Sequence, residues 1–253
     1  MMNTITSHKT IRKYKDEPID QSLLNTVIKA ASRASTTGNM QVYSIIMTTD
    51  KQIKQKLWEA HFKQDMVLRA PVILTFCADF NRFNKWCLQR KAEPGYDNFL
   101  SFFTAAIDAL LAAQNAALAA EANGLGICYL GTTTYNADMI INILDLPSGV
   151  VPVTTLVAGY PDEAPGLTDR LPLEGILHID KYRDYTPEDI DRIYNEKDHS
   201  QLTQQLLKEN NLETLAQIFT QKRYTKKDNE YFSGKLLDVI KKQGFWDREM
   251  GTV

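Results

Sequence analysis

His8, Lys9, Thr10 and Arg12 fall within one six-residue stretch, SHKTIR, just ahead of the first amphipathic segment. Arginine and lysine supply charge-assisted hydrogen bonds and threonine a further donor, a combination that suits a phosphate group, although a solvated basic terminus would look the same. Further on, STTGNMQ (35–41) joins a helical pattern to a strand pattern. Six of its seven residues can offer a hydrogen bond or a bare backbone N–H, whereas a plain helix-to-strand turn needs one glycine and one asparagine. In YLGTTT (129–134) a glycine allows close approach to the backbone, and the threonines either donate to a ligand or cap the next helix. The Pro- and Gly-punctuated stretch GYPDEAPGLTDRLPLE carries Arg170, which on its own reads as a surface residue or structural tie more readily than as a ligand contact.

No metal chemistry is indicated. Cys77, Cys87 and Cys128 form no C-x-x-C pair, and four histidines show no ligand spacing. Cys77 and Cys128 lie in apolar runs, which reads as buried reduced thiols and a cytoplasmic setting. The net charge of −2 provides no basic field for non-specific nucleic-acid binding. MMNTITSHKTIRKYKDEP has no apolar signal-peptide core, and FFTAAIDALLAAQNAALAA, interrupted by Asp108, Gln114 and Asn115, reads as a core helix instead of a membrane span.

The elements that must position these residues alternate. Asp20 starts a helix with apolar positions Leu23, Leu24, Val27, Ile28, Ala31 and Ala34. VYSIIMT, APVILTFCAD, GICYLG and VPVTTLVAGYP read as strands. Between them come the helices DKQIKQKLWEA, Asn98 to Asn123 with Gly124 as its stop, and ADMIINILDLP. This predicts an α+β or α/β sandwich. From Thr186 the chain reads as consecutive polar helices. The expected division is therefore a core of residues 1–185 and a helical extension, 186–253, packed on the core or on a partner subunit.

In linear order these segments resemble the nitroreductase family of FMN-dependent oxidoreductases. The matching pieces are HKTIR, STTGNMQ, RAPV before its strand, GLGICYLG after the central helix, and GYP…DRLP closing the core; the helical tail resembles the longer, flavin-reductase-like branch that tends to use NADPH. The resemblance implies a three-layer α+β sandwich with a central, mostly antiparallel sheet, and a homodimer with FMN at the interface. It places His8, Lys9, Thr10, Arg12 and Arg170 on the phosphate, and Thr36, Thr37, Asn39 and Gln41 on the ribityl chain and ring. Gln64 and Arg69 become candidate ring contacts, with Tyr129, Leu130, Gly131 and Thr132 beside the ring. A cation at Arg69 would favour the reduced, more negative flavin. Thr168 stands where the branch often has a lysine, so phosphate binding would lean more on Arg170 and the N-terminal cluster.

The implied activity is a ping-pong transfer of reducing equivalents from NADPH or NADH to nitroaromatics, quinones or flavins, with FMN carrying the chemistry and no catalytic acid required. Lys222 and Arg223, with Lys226 and Lys227, are candidates for the 2′-phosphate of NADPH, or else a solvated loop. Trp86, Tyr96 and Phe99 belong to a helical excursion that would either cover the pocket or pack in the core or dimer. Other readings stand beside this one: a specialised reductive reaction or flavin fragmentation on the same scaffold, a flavin-binding carrier or sensor without NAD(P)H turnover, and a cofactor-free dimer that kept the fold.

Overall fold

The computed structural model describes residues 2–246. A short first helix, α1 (Met2–Thr6), is followed by an irregular segment up to Asp20, whose side chain accepts from the Ser22 N–H and starts α2 (Gln21–Ala31). Leu24, Val27 and Ala31 form its buried stripe, set by the helical period of its apolar positions. STTGNMQ then makes a single 3-10 turn, Thr37–Asn39, and leads into β1 (Tyr43–Thr48). Asp50 accepts from the Gln52 and Ile53 N–H groups to cap α3 (Lys51–Ala60), and a tight turn delivers α4 (Asp65–Arg69). Next comes β2 (Val72–Asp79), buried along its whole length as its unbroken apolar run predicts. After α5 (Asn81–Gln89), Asn98 caps the long helix α6 (Phe99–Ala122), and Gly124 leaves it with φ +81°. The first layer set closes with β3 (Gly126–Leu130), α7 (Ala137–Ile143) and β4 (Val150–Gly159).

The four strands form one sheet in the order β1-β2-β4-β3, every pair antiparallel. Its alternation sorts the core into layers. On one face Val72, Leu74, Phe76, Leu156 and Ala158 pack with the alanine stripe of α6 and with α2. On the other, Ile73 and Val157 pack with Leu57, Val67 and Ile140 from α3, α4 and α7. Helix, sheet, helix is the expected three-layer sandwich. Proline 152 lies in central strand β4, where it cannot donate to a ladder; the register shifts there, between Phe76 and Cys77 on β2, so the missing N–H falls at a bulge. Although α6 is long and apolar enough to cross a membrane, Ala105, Ala109, Ala112, Ala113 and Ala116 bury one side of it in this core.

Contacts group the described residues into two units: residues 2–166 with residues 232–246, and Leu167–Tyr231. The second unit holds α8 (Pro187–His199) and α9 (Gln201–Asn210), with a reciprocal Thr186–Asp189 capping box on α8. Arg192 and Arg183 both reach Asp189, at 2.7 and 3.0 Å; the Arg192 hydrogen bond first, then that from the Thr186 N–H, with the Arg183 charge behind them, hold its carboxyl far below the usual range. It continues through α10 (Leu215–Ile218) and a π turn, Phe219–Arg223. The last helix, α11 (Lys226–Lys242), puts Lys235 Nζ 2.9 Å from Asn136 Oδ1 and 2.8 Å from Asp138 Oδ1 within the first unit.

Candidate functional site

The STTGNMQ turn is held from beneath by one buried acid. Asp108, fully buried on α6, accepts from the Thr37 N–H at 2.9 Å and from the Val42 N–H at 3.3 Å, clamping both ends of the turn. Between the clamps Gly38, Asn39 and Gln41 all take positive φ, near +55°. Glycine adopts that region freely, whereas glutamine does so only when the surroundings impose it. The Gln41 side chain turns back on Asn39, 3.3 Å from its carbonyl and side-chain oxygens, and Arg82 donates to the Gln41 carbonyl. The result is a fixed ledge, its Thr37, Gly38, Asn39 and Gln41 exposed.

The N-terminal cluster is seated against the opposite edge of the sheet. Thr10 forms a parallel bridge with Ile127 of β3, and the Ile11 N–H donates to the Ile127 carbonyl at 2.9 Å. Glu163 accepts from the Arg12 and Lys13 N–H groups at 2.5 and 3.1 Å, and the Arg12 bond leads in holding its carboxyl below the usual range. His8 Nδ1 lies 2.7 Å from Glu121 Oε1, so the imidazole already has an acidic partner. Lys9 lines a cleft of about 310 Å³ beside Ser7, Glu121 and Gly126. Neither Lys9 nor Arg12 makes a salt bridge among the described residues, although the Arg12 charge also helps hold the Glu163 carboxyl down.

Beyond β3 the same edge carries a second polar group. The turn leaving α3 places Phe62 and Lys63 at φ +54° and +58°, and so brings His61 and Gln64 onto Thr132. His61 Nδ1 is 2.8 Å and Gln64 Nε2 is 3.3 Å from Thr132 Oγ1, while Gln64 Nε2 also donates to the His61 carbonyl at 3.0 Å. The imidazole is completely buried, and burial pushes its pKa down to about 4. Its Nε2 has no hydrogen-bond partner among the described residues. Tyr129 is half-buried and Leu130 buried in β3, and Gly131 is open: a Cβ there would meet no atom within 4 Å.

The predicted residues thus fall into two sets. The N-terminal cluster, Gln64 and Tyr129 to Thr132 share the β3 edge, whereas Thr36, Thr37, Asn39 and Gln41 precede β1 at the other edge. Three strand spacings, about 14 Å, separate those edges. Along α6, Asp108 under the ledge and Glu121 under His8 are about 20 Å apart at 1.5 Å per residue. Arg69 is exposed at the end of α4 and reaches Asp65 at 3.9 Å. In the second unit, Arg170 Nη1 donates to Thr168 Oγ1 at 2.7 Å and to the Asp169 carbonyl at 2.8 Å. Arg223, in the same unit, lies 5.7 Å over the Phe219 ring, and Lys222 is exposed in the same π turn. Of the excursion residues, Tyr96 stacks on Phe80 at 4.8 Å as part of the core, while Trp86 and Phe99 are exposed.

Asp108, His61 and Glu163 are the residues that sequence reasoning missed. Asp108 had a signal, an acid inside an alanine-rich core helix; His61 and Glu163 acquire their partners only through folding.

The sequence model described as the nitroreductase family matches residues 5–160. Two proteins of Bacillus subtilis (strain 168) are similar: FMN reductase [NAD(P)H], 36% identical over 185 residues, and FMN reductase (NADPH), 33% identical over 183 residues. Each alignment spans 72% of this chain and 74% of the relative. A crystal structure from Bacteroides fragilis NCTC 9343 superposes with a TM-score of 0.96 at 53% identity, covering 97% of this chain and 100% of that one.

Proposed function

Because this chain belongs to the nitroreductase family, we propose that it is an NAD(P)H-dependent FMN oxidoreductase that holds FMN between two copies of itself. The relatives' names supply the donor and the flavin. The division of the polar residues between opposite sheet edges carries the two-copy reading, since one edge of one copy offers half of the contacts. An apolar stripe on α6 supports it: Leu100, Phe103, Ile107, Leu110 and Leu111 are all exposed, with Leu100 at 72%. Such a surface on a soluble fold calls for a partner, and a second copy would bring its ledge to the first copy's β3 edge.

The residues present fit FMN. Lys9 and Arg12, neither in a salt bridge among the described residues, offer positive charge for a phosphate, and Thr10 a hydroxyl. Gly131 leaves room for a planar ring to approach the backbone, with Gln64 and Thr132 beside it. The partner's equivalents of Thr37, Asn39 and Gln41 would meet the ribityl chain. When bound, FMN supplies hydride acceptance and release, chemistry no side chain here could provide. The chain's own work is to bind, orient and neutralise. Acceptors would be planar and electron-poor, nitroaromatics, quinones or flavins, taken in turn after the oxidised nucleotide leaves. Arg170 as a phosphate ligand, Arg69 as a ring cation and Lys222 with Arg223 as the 2′-phosphate site remain part of this reading on the resemblance alone.

Anaerobic spectroscopy tests it directly. Protein reconstituted with FMN should lose its visible flavin band on addition of NADPH or NADH and regain it with a nitroaromatic or quinone. Bound flavin that neither nucleotide bleaches would sink the oxidoreductase reading and leave the carrier or sensor.

A further inference from the structure

Thr132 Oγ1 carries one proton and two lone pairs, and two side chains converge on it. Gln64 Nε2 must be the amide nitrogen, because it also donates to the His61 carbonyl at 3.0 Å; at 3.3 Å it therefore takes one lone pair of Oγ1. The 2.8 Å contact with His61 Nδ1 can run either way. If the ring proton sits on Nε2, Thr132 donates to Nδ1, and a buried N–H is left without an acceptor. If it sits on Nδ1, that N–H fills the second lone pair, and the buried Nε2 is a bare acceptor. Orphaned buried N–H groups are the rarer and costlier of the two. The partnerless Nε2 therefore selects the Nδ1–H form, and the ring's low pKa keeps it neutral at pH 7.

With both lone pairs occupied, the Thr132 hydroxyl proton can serve neither His61 nor Gln64. Thr132 stands half-buried next to open Gly131, and among the described residues its Oγ1 donates to no other group. We infer that His61 is a positioning residue which, together with Gln64, aims the Thr132 hydroxyl outward as a fixed hydrogen-bond donor to the flavin. This rests on the FMN reading above. Where such a donor meets the N1–C2=O edge, which gains negative charge on two-electron reduction, its hydrogen bond is stronger to the reduced flavin than to the oxidised one.

Two measurements decide it. A long-range ¹H–¹⁵N spectrum of the flavin-free wild-type protein, with the His61 signals identified by their loss in His61→Asn, should show the proton on Nδ1. A proton on Nε2 would overturn the inference without any flavin present. In reconstituted protein, Thr132→Val and His61→Phe should each lower the ratio of affinities for reduced and oxidised FMN by about 3- to 10-fold, the worth of one net hydrogen bond. The double variant should lose no more than either single one, and His61→Asn, whose side-chain N–H can replace Nδ1–H, should recover the ratio. A ratio that falls in Thr132→Val but not in His61→Phe would show that His61 does not act through Thr132. An unchanged ratio in Thr132→Val would show that the hydroxyl does not reach the ring. Wild-type protein that takes up no FMN would defeat the underlying reading, and the flavin half of this inference with it, whatever the tautomer.

Discussion

At the scale of single residues, two buried polar side chains govern the geometry. Val42 is fully buried, so its N–H depends on Asp108, whereas Thr37 is exposed and its N–H can turn to water. Asp108→Ala should therefore cost about 1–3 kcal/mol of stability, mainly at Val42. FMN affinity should drop with it as the ledge loosens; unfolding curves and flavin titration together check this, and unchanged flavin binding would detach the ledge from the cofactor. His61 makes a second prediction, through pH. An unfolded imidazole titrates near 6.5, the folded one near 4, so between those values the unfolded chain binds the extra proton. The contribution of His61 is complete above about pH 6.5 and is lost as pH falls toward 4, about 3 kcal/mol in all. Urea unfolding at pH 7 and at pH 4.5 should show a smaller loss in His61→Phe than in wild type. Equal losses would remove His61 from the acid sensitivity.

Between elements, the seating of the N-terminal cluster depends on a pair of glycines. Gly126 of β3 and Gly159 of β4 face each other in register. A Cβ on Gly126 would lie 2.7 Å from Ile11, and one on Gly159 2.6 Å from Pro71 and 2.8 Å from Tyr14. Their bare backbone is what lets residues 10–14 lie across the sheet edge and present Lys9 and Arg12. Gly126→Ala forces Ile11 away at its branched Cβ, not at a flexible end, so a loss of about 1–3 kcal/mol is expected. FMN affinity should fall more than the ledge variants would suggest from stability alone. Melting temperature and flavin dissociation constant measured on the same sample separate the two effects. Backbone strain points to the same places: four of the eight non-glycine residues with positive φ among the described residues, Asn39, Gln41, Phe62 and Lys63, belong to the two segments that carry candidate contacts.

For the whole molecule the prediction is association. On the two-copy reading, a charge in the exposed α6 stripe, Leu110→Glu, should produce a monomer by sedimentation and abolish FMN retention by separating the half-sites. A monomer that still holds FMN tightly would place the whole site in one chain. In the second unit, Arg223→Ala should narrow the preference for NADPH over NADH if this guanidinium meets the 2′-phosphate; an unchanged preference moves that contact elsewhere.

Much of this was legible from sequence because it rests on local rules. The caps at Asp20, Asp50 and Asn98, the apolar period of α2, the unbroken run of β2 and the stop after α6 at Gly124 all depend on residues within a few positions of one another. The polar surplus of STTGNMQ was likewise visible as composition. Tertiary structure decided what depends on distant partners. It set the strand order that puts STTGNMQ and SHKTIR on opposite edges, the seat of Thr10 on Ile127, the Asp108 clamp across 71 residues to Thr37, and the meeting of His61 with Thr132 over the same separation. A hydrogen bond closed over such a distance leaves no periodicity in the chain: its partners are chosen by the packing of whole layers, and only the folded sheet brings them within 3 Å.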